Sequence, residues 1–224
     1  LSTYLSAIPA AATLCEFPHP NQAFWTLCAL WSAWLWGGEA AASLKWAFER
    51  QRFDWGWFAS ALYSPLKTTA KLTPSKSPFL VWMPKYSPGL FTTSLVAAHS
   101  AGYKLSSSAI QFENSTAQLL FCNRKPEFLP QYQSLETVIQ DEVMELFHNF
   151  NEPLPYSKIH AAVVSAMDAK IVLPDQFPEH PSEAVSDLQK QIQKNITAPG
   201  FLKRYAQNKE ATEDVFFYSG IDRT

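Results

Sequence analysis

Ala11-Ala12-Thr13-Leu14-Cys15-Glu16-Phe17-Pro18-His19-Pro20-Asn21-Gln22-Ala23-Phe24-Trp25 joins a strand to a helix through a rigid turn. Residues 11–16 predict a short buried strand. Two prolines within the next few residues neither continue a ladder nor open a helix cleanly, so residues 17–21 end it. Asn21 suits the N-cap of the helix that follows. That helix puts Phe24, Leu27, Cys28, Trp31, Trp34 and Leu35 on one face at spacings of three and four, which predicts a buried helix until Gly37-Gly38 breaks it. Its greasy run, residues 23–36, is shorter than the roughly 20 residues a membrane span needs, so no membrane partner is expected.

Working outward, residues 39–50 predict a second helix. A third carries Trp55, Phe58, Leu62 and Leu66 with helical period, and Pro65 should kink or end it. Residues 79–83 form an apolar run of strand length closed by Pro84. Ser87-Pro88 is a capping hydroxyl followed by proline at the first helical position, and Gly102 is placed to end that helix. Residues 103–112 and 117–122 read as a hairpin about Glu113-Asn114-Ser115-Thr116. Strands alternating with helices predict an α/β domain with a mainly parallel sheet, here closed by an antiparallel hairpin.

The remainder is different in kind. Residues 1–130 carry ten Lys/Arg against six Asp/Glu, whereas residues 131–224 carry eight against fourteen, and all eight tryptophans precede Pro84. Charge and aromatic content change together, which predicts two domains, 1–128 and 129–224. In the second, Ser134 caps a helix whose stripe is Val138, Ile139, Val143, Leu146, Phe147 and Phe150. Helices are expected over 157–170, 182–196 and 199–206, and a strand over 215–218. This small, acidic, mainly helical domain is compatible with a winged-helix-like unit. The net charge of -2 argues against a chain that coats nucleic acid. Cys15, Cys28 and Cys122 are odd in number and contain no CxxC pair, which fits buried thiols in a reducing cytoplasm better than disulfides or a zinc ribbon. His19, His99, His148, His160 and His180 show no metal-ligand spacing and read as isolated surface or boundary residues.

The chemistry should lie at the exit of the first strand, because open α/β sheets place ligands at the C-terminal ends of their parallel strands. Enzymes that methylate amino groups of DNA bases hold an acid or amide side chain and a proline carbonyl against the target amine there, with an aromatic ring stacked on the flipped base. The run Pro20-Asn21-Gln22-Ala23-Phe24-Trp25-Thr26-Leu27, then Ala29-Leu30-Trp31 and Trp34-Leu35-Trp36-Gly37, resembles the bacterial adenine-specific DNA methylases of the zinc-ribbon-containing group. So do Arg52-Phe53-Asp54-Trp55-Gly56-Trp57 and the helix from Pro88-Gly89-Leu90 to Ala101-Gly102-Tyr103. The resemblance covers most of residues 14–125.

It implies a partial Rossmann-like fold of the SAM-dependent methyltransferases, whose last strands form an antiparallel hairpin. It also implies catalytic positions at Glu16, Pro18 and His19, in a tetrad that here reads Glu16-Phe17-Pro18-His19. Glutamate is one methylene longer than aspartate, Phe17 replaces a proline, and His19 stacks weakly. Phe17 within this tetrad, Asn21 just after it, and the basic-aromatic cluster Arg50, Arg52, Trp55 and Trp57 are the candidate nucleic-acid contacts, since cations engage phosphates and rings accept bases. No glycine-rich strand-to-helix turn exists to cradle SAM, the cofactor the resemblance implies. The expectation is therefore a methyltransferase-like chain that binds no cofactor and transfers no methyl group alone. Its expected partners are DNA and either a missing N-terminal SAM-binding portion or another protein. The alternative is a non-catalytic interaction module that keeps the methylase fold.

Overall fold

A computed structural model describes residues 12–17, 22–42, 54–123, 134–170, 173, 176–205 and 215–218. The first strand, β1 (Thr13–Glu16), lies parallel to β2 (Pro78–Met83), with Thr13 opposite Phe79 and Glu16 opposite Trp82. The strands β3 (Tyr103–Gln111) and β4 (Thr116–Asn123) form the expected hairpin. The order is β1-β2-β4-β3, so β4 inserts between β2 and β3 and runs antiparallel to both. The chain is thus a mixed α/β structure whose first sheet joins a parallel pair to a closing hairpin.

Alternation along β2 decides what each face does. Phe79, Val81 and Met83 point into the core, while Pro78, Leu80 and Trp82 point away. Ala117, Leu119 and Phe121 of β4 continue the buried face. Helices α1 (Gln22–Trp36) and α2 (Gly38–Ala41) follow β1; α3 (Trp55–Leu72) precedes β2, and α4 (Pro88–Ala101) links β2 to β3. Every residue of α4 from Leu90 to Ala101 is buried, including Thr92, Thr93 and Ser94. The Ser87 hydroxyl accepts from Leu90 N at 3.3 Å, and Gly102 ends the helix at φ 104°, as the residue types dictate.

Two helices depart from expectation. Pro65 does not end α3, which continues to Leu72. It sits on the exposed side of the helix, where the Ala61 carbonyl that it deprives of an amide partner can meet solvent. In α1 the stripe expected to be buried faces outward. Of that stripe, Leu27, Trp31, Trp34 and Leu35 are exposed and Cys28 is half-buried; Leu30 beside them is also exposed, whereas Ala29 is buried.

The C-terminal segment contains α5 (Leu135–Phe150), β5 (Leu154–Pro155), α6 (Tyr156–Ala169), α7 (Pro181–Ile196), β6 (Leu202–Tyr205) and β7 (Val215–Tyr218). Its strands form an antiparallel sheet in the order β5-β7-β6. Residues 199–206 were expected to be helical and instead contain β6, paired from Leu202 opposite Tyr218 to Tyr205 opposite Val215. Gly200, at φ 85°, turns the chain after α7, and the distant partner strand then outweighs local preference. One continuous core runs from Phe17 through the sheet and α4 to Val163, Ile192 and Phe217, and the expected division at 128/129 lies outside the described residues.

Candidate functional site

The C-terminal end of the parallel pair is where the sequence points first. The ladder continues one bond past β1, with Phe17 N donating to Trp82 O at 2.9 Å. Past that bond the Phe17 ring turns inward. Phe17 is 2% exposed and meets Phe79 at a centroid distance of 6.2 Å. Its expected role as a nucleic-acid contact is therefore corrected: the ring is a core element that anchors the strand exit. Glu16, one residue earlier, points to the opposite, open face. There it is the register partner of Trp82, which is also exposed. A carboxylate and an indole thus sit side by side on the outer face at the exit of the parallel strands. Burial, and then the Glu16 charge, raise the pKa of the neighbouring Cys15 thiol. Pro18, His19 and Asn21 lie outside the described residues.

Of the basic-aromatic cluster, the two tryptophans are described, and both take part in packing. Arg50 and Arg52 lie outside the described residues. Trp57 is buried in the core, which corrects its assignment as a base contact. Trp55 is half-buried, set edge-on to Phe58, and its ring occupies the space a side chain at Gly89 would need. Gly56 serves α7. A Cβ there would lie 2.1 Å from the backbone of Ser182, so the glycine lets α7 dock against α3. Asp54 caps α3 by accepting from Trp57 N at 2.7 Å, and it also accepts from Ser182 Oγ at 2.8 Å. Replacing Gly56 by Ala should cost about 1–3 kcal/mol by overpacking. Urea unfolding would read this as a lower midpoint at an unchanged slope, and an unchanged midpoint would contradict the docking.

The most connected buried polar groups form a seam between the sheet segment and the C-terminal helices. His99 Nδ1 of α4 meets Asp168 Oδ1 of α6 at 2.7 Å, and Leu105 N donates to Asp168 Oδ2 at 2.7 Å. The register of β3 slips between Leu105 and Ser107, so the Asp168 carboxylate serves an amide at the irregularity. Further along both helices, His160 Nε2 lies 3.2 Å from Thr92 Oγ1, which donates to Pro88 O at 3.0 Å. Tyr86 Oη donates to Ser157 O at 3.3 Å. His99 and Asp168 are 1% and 0% exposed, which leaves a substrate no access to them. We assign the seam to architecture. The sequence offered His99 and His160 as surface or boundary residues, and both are buried.

Among the described residues no group of three His, Cys, Asp or Glu side chains could hold a metal ion. All three cysteines are free thiols. Among the described residues no helix is long and apolar enough to cross a membrane. The described residues also do not fit a SAM cradle. The strand-to-helix turn from β2 to α4 reads Pro84-Lys85-Tyr86-Ser87, and Gly89 beyond it faces the Trp55 ring.

No known family profile and no curated protein matches the chain. Among solved structures the chain is similar to a Thermus thermophilus protein described as a candidate DNA modification methylase. The TM-score is 0.29 at 11% identity, covering 65% of this chain. The chain spans 60% of that neighbour's length.

Proposed function

We propose that this chain is a DNA-methyltransferase-derived module that binds nucleic acid at the exit of β1, where Glu16 and Trp82 line a degenerate target-base pocket. In this reading it does not transfer methyl groups by itself. The observation that carries it is the register pairing of Glu16 with Trp82 on the open face, at the C-terminal end of two parallel strands. Such ends are where open α/β sheets bind ligands. A carboxylate accepts from an exocyclic amine, and an indole face accepts a base ring, which are the two contacts a flipped base requires. Pro18, His19 and Asn21 follow Glu16 in the chain and would complete the pocket. The antiparallel closing hairpin supports the same ancestry, because the resemblance implies it. SAM would then be supplied with another polypeptide portion. The helix–strand–helix–helix–strand–strand order of the C-terminal segment supports a winged-helix-like unit.

A second reading, a non-catalytic protein-interaction module, is favoured by the acidic outer side of α5. Glu136, Asp141 and Glu145 are exposed there, and half-buried Glu142 has its pKa raised, first by burial and then by Glu145. A mobility shift on duplex DNA separates the two. The first reading predicts a complex whose affinity falls steeply between 50 and 200 mM salt, by about tenfold or more for a few phosphate contacts. Absence of any complex at low salt would sink it in favour of the second. Calorimetric titration of the chain with SAM should give no heat, and saturable binding would contradict the missing cradle.

A further inference from the structure

Helix α1 leaves its large apolar side chains in solvent. Leu27, Leu30, Trp31, Trp34 and Leu35 recur at the spacing of one helical face. Trp34 is 79% exposed, Trp31 49%, and each of the three leucines more than half. Among the remaining residues Ala29 is buried and Cys28, Ser32 and Ala33 are half-buried, while Trp36, on the same side as Ala29, is 70% exposed. No residue from Gln22 to Trp36 carries a charge. Monomers rarely leave so large a contiguous apolar stripe in water.

We propose that this face is covered by a second copy of the chain, with the two α1 helices packed antiparallel across a twofold axis. Three physical considerations choose this occupant. The exposed area of the two tryptophans and three leucines is on the order of 450 Å², from about 200 Å² for a tryptophan and about 100 Å² for a leucine. A standard interface buries about 800 Å² per partner, of which about 65% is apolar in homodimers, so the stripe supplies nearly the required apolar core. A stripe without charges meets its own copy without like-charge repulsion, as a self-complementary twofold patch must. Nucleic acid is a poor occupant because the helix offers no cation to phosphate. A membrane surface is a poor one because an interfacial helix needs a charged opposite face. The inference does not depend on the base-pocket reading.

Sedimentation equilibrium of the full chain between 1 and 100 μM tests it. The expected result is a dimer with twice the 25.2 kDa chain mass. Trp34→Glu should weaken the dimer by about 30-fold or more, as loss of an interfacial aromatic anchor does. Far-UV circular dichroism checks that this exposed substitution leaves the fold intact. Phe150→Glu, at an exposed apolar residue on α5, should leave the dimer unchanged. Three results would each overturn the proposal. One is a wild-type chain that stays monomeric to 100 μM. Another is a dimer that survives Trp34→Glu at full affinity. The third is a monomer that co-sediments with phosphatidylcholine–phosphatidylglycerol vesicles, which would assign the stripe to a lipid surface.

Discussion

Asp168→Ala should destabilise the protein by about 3–5 kcal/mol. The two carboxylate oxygens accept from His99 Nδ1 and from Leu105 N, each at 2.7 Å, in a site closed to water. Alanine removes both acceptors at once. A buried donor deprived of its acceptor costs about 1–3 kcal/mol, and breaking a buried charged contact costs about 3–5 kcal/mol. Asp168→Asn keeps the shape and one acceptor oxygen but turns an amide donor toward another donor, so it should cost nearly as much. Urea unfolding at neutral pH measures both, and a double-mutant cycle with His99→Ala should return a coupling above about 1 kcal/mol. A loss below about 1 kcal/mol for Asp168→Ala would mean that the seam contributes little. Because α6 carries Asp168 while α4 and β3 carry its partners, the same variant should loosen the C-terminal helices from the sheet segment.

His160 should make the fold acid-sensitive by about 3 kcal/mol. Thr92 Oγ1 spends its proton on Pro88 O, so it can only accept from His160, and this places the imidazole proton on Nε2. Protonation would then add a donor at Nδ1, which has no hydrogen-bond partner among the described residues. Burial accordingly lowers the His160 pKa from the ordinary 6.5 to about 4. The folded state therefore binds fewer protons than the unfolded chain between these two values. Its stability is complete above about pH 6.5 and falls with pH at about 1.4 kcal/mol per unit until about pH 4. His160→Gln can still donate to Thr92 and does not titrate. The stability difference between wild type and this variant should be constant above pH 7 and shift by about 3 kcal/mol toward the variant at pH 4. Parallel pH profiles would contradict the burial of a neutral imidazole. Carboxylates that titrate in the same range are common to both proteins and cancel.

These contacts also mark where the sequence is mute. The pairing of His99 with Asp168 spans 69 residues, and that of Ser182 with Asp54 spans 128. Nothing local in either stretch announces its partner. Local signals did carry the elements they govern. Ser87-Pro88 and Gly102 bound α4, Ser134 caps α5, and the polar stretch Glu113-Asn114-Ser115-Thr116 marks the turn of the β3–β4 hairpin. Periodicity in α1 identified which residues share a face, but it cannot say whether that face is covered. The same limit turned Trp55-Gly56-Trp57 into a surface cluster on paper, whereas Gly56 is a contact surface for Ser182. Of the candidate pocket, Glu16 was legible because strand exits bind ligands. Trp82 was not, since an aromatic inside an apolar run reads as core until the register with β1 sets its side.

The reading as a nucleobase site stands or falls on Trp82 and Glu16. Fluorescence anisotropy of labelled duplexes, one fully paired and one with an unpaired adenine, measures it at low salt. The account predicts tighter binding to the unpaired duplex, because less unstacking is required. Trp82→Ala should erase that preference, with a loss of about 1–3 kcal/mol, or roughly 5- to 150-fold, while affinity for the paired duplex changes little. Equal binding to both duplexes by the wild-type chain, or a preference that survives Trp82→Ala, would contradict it.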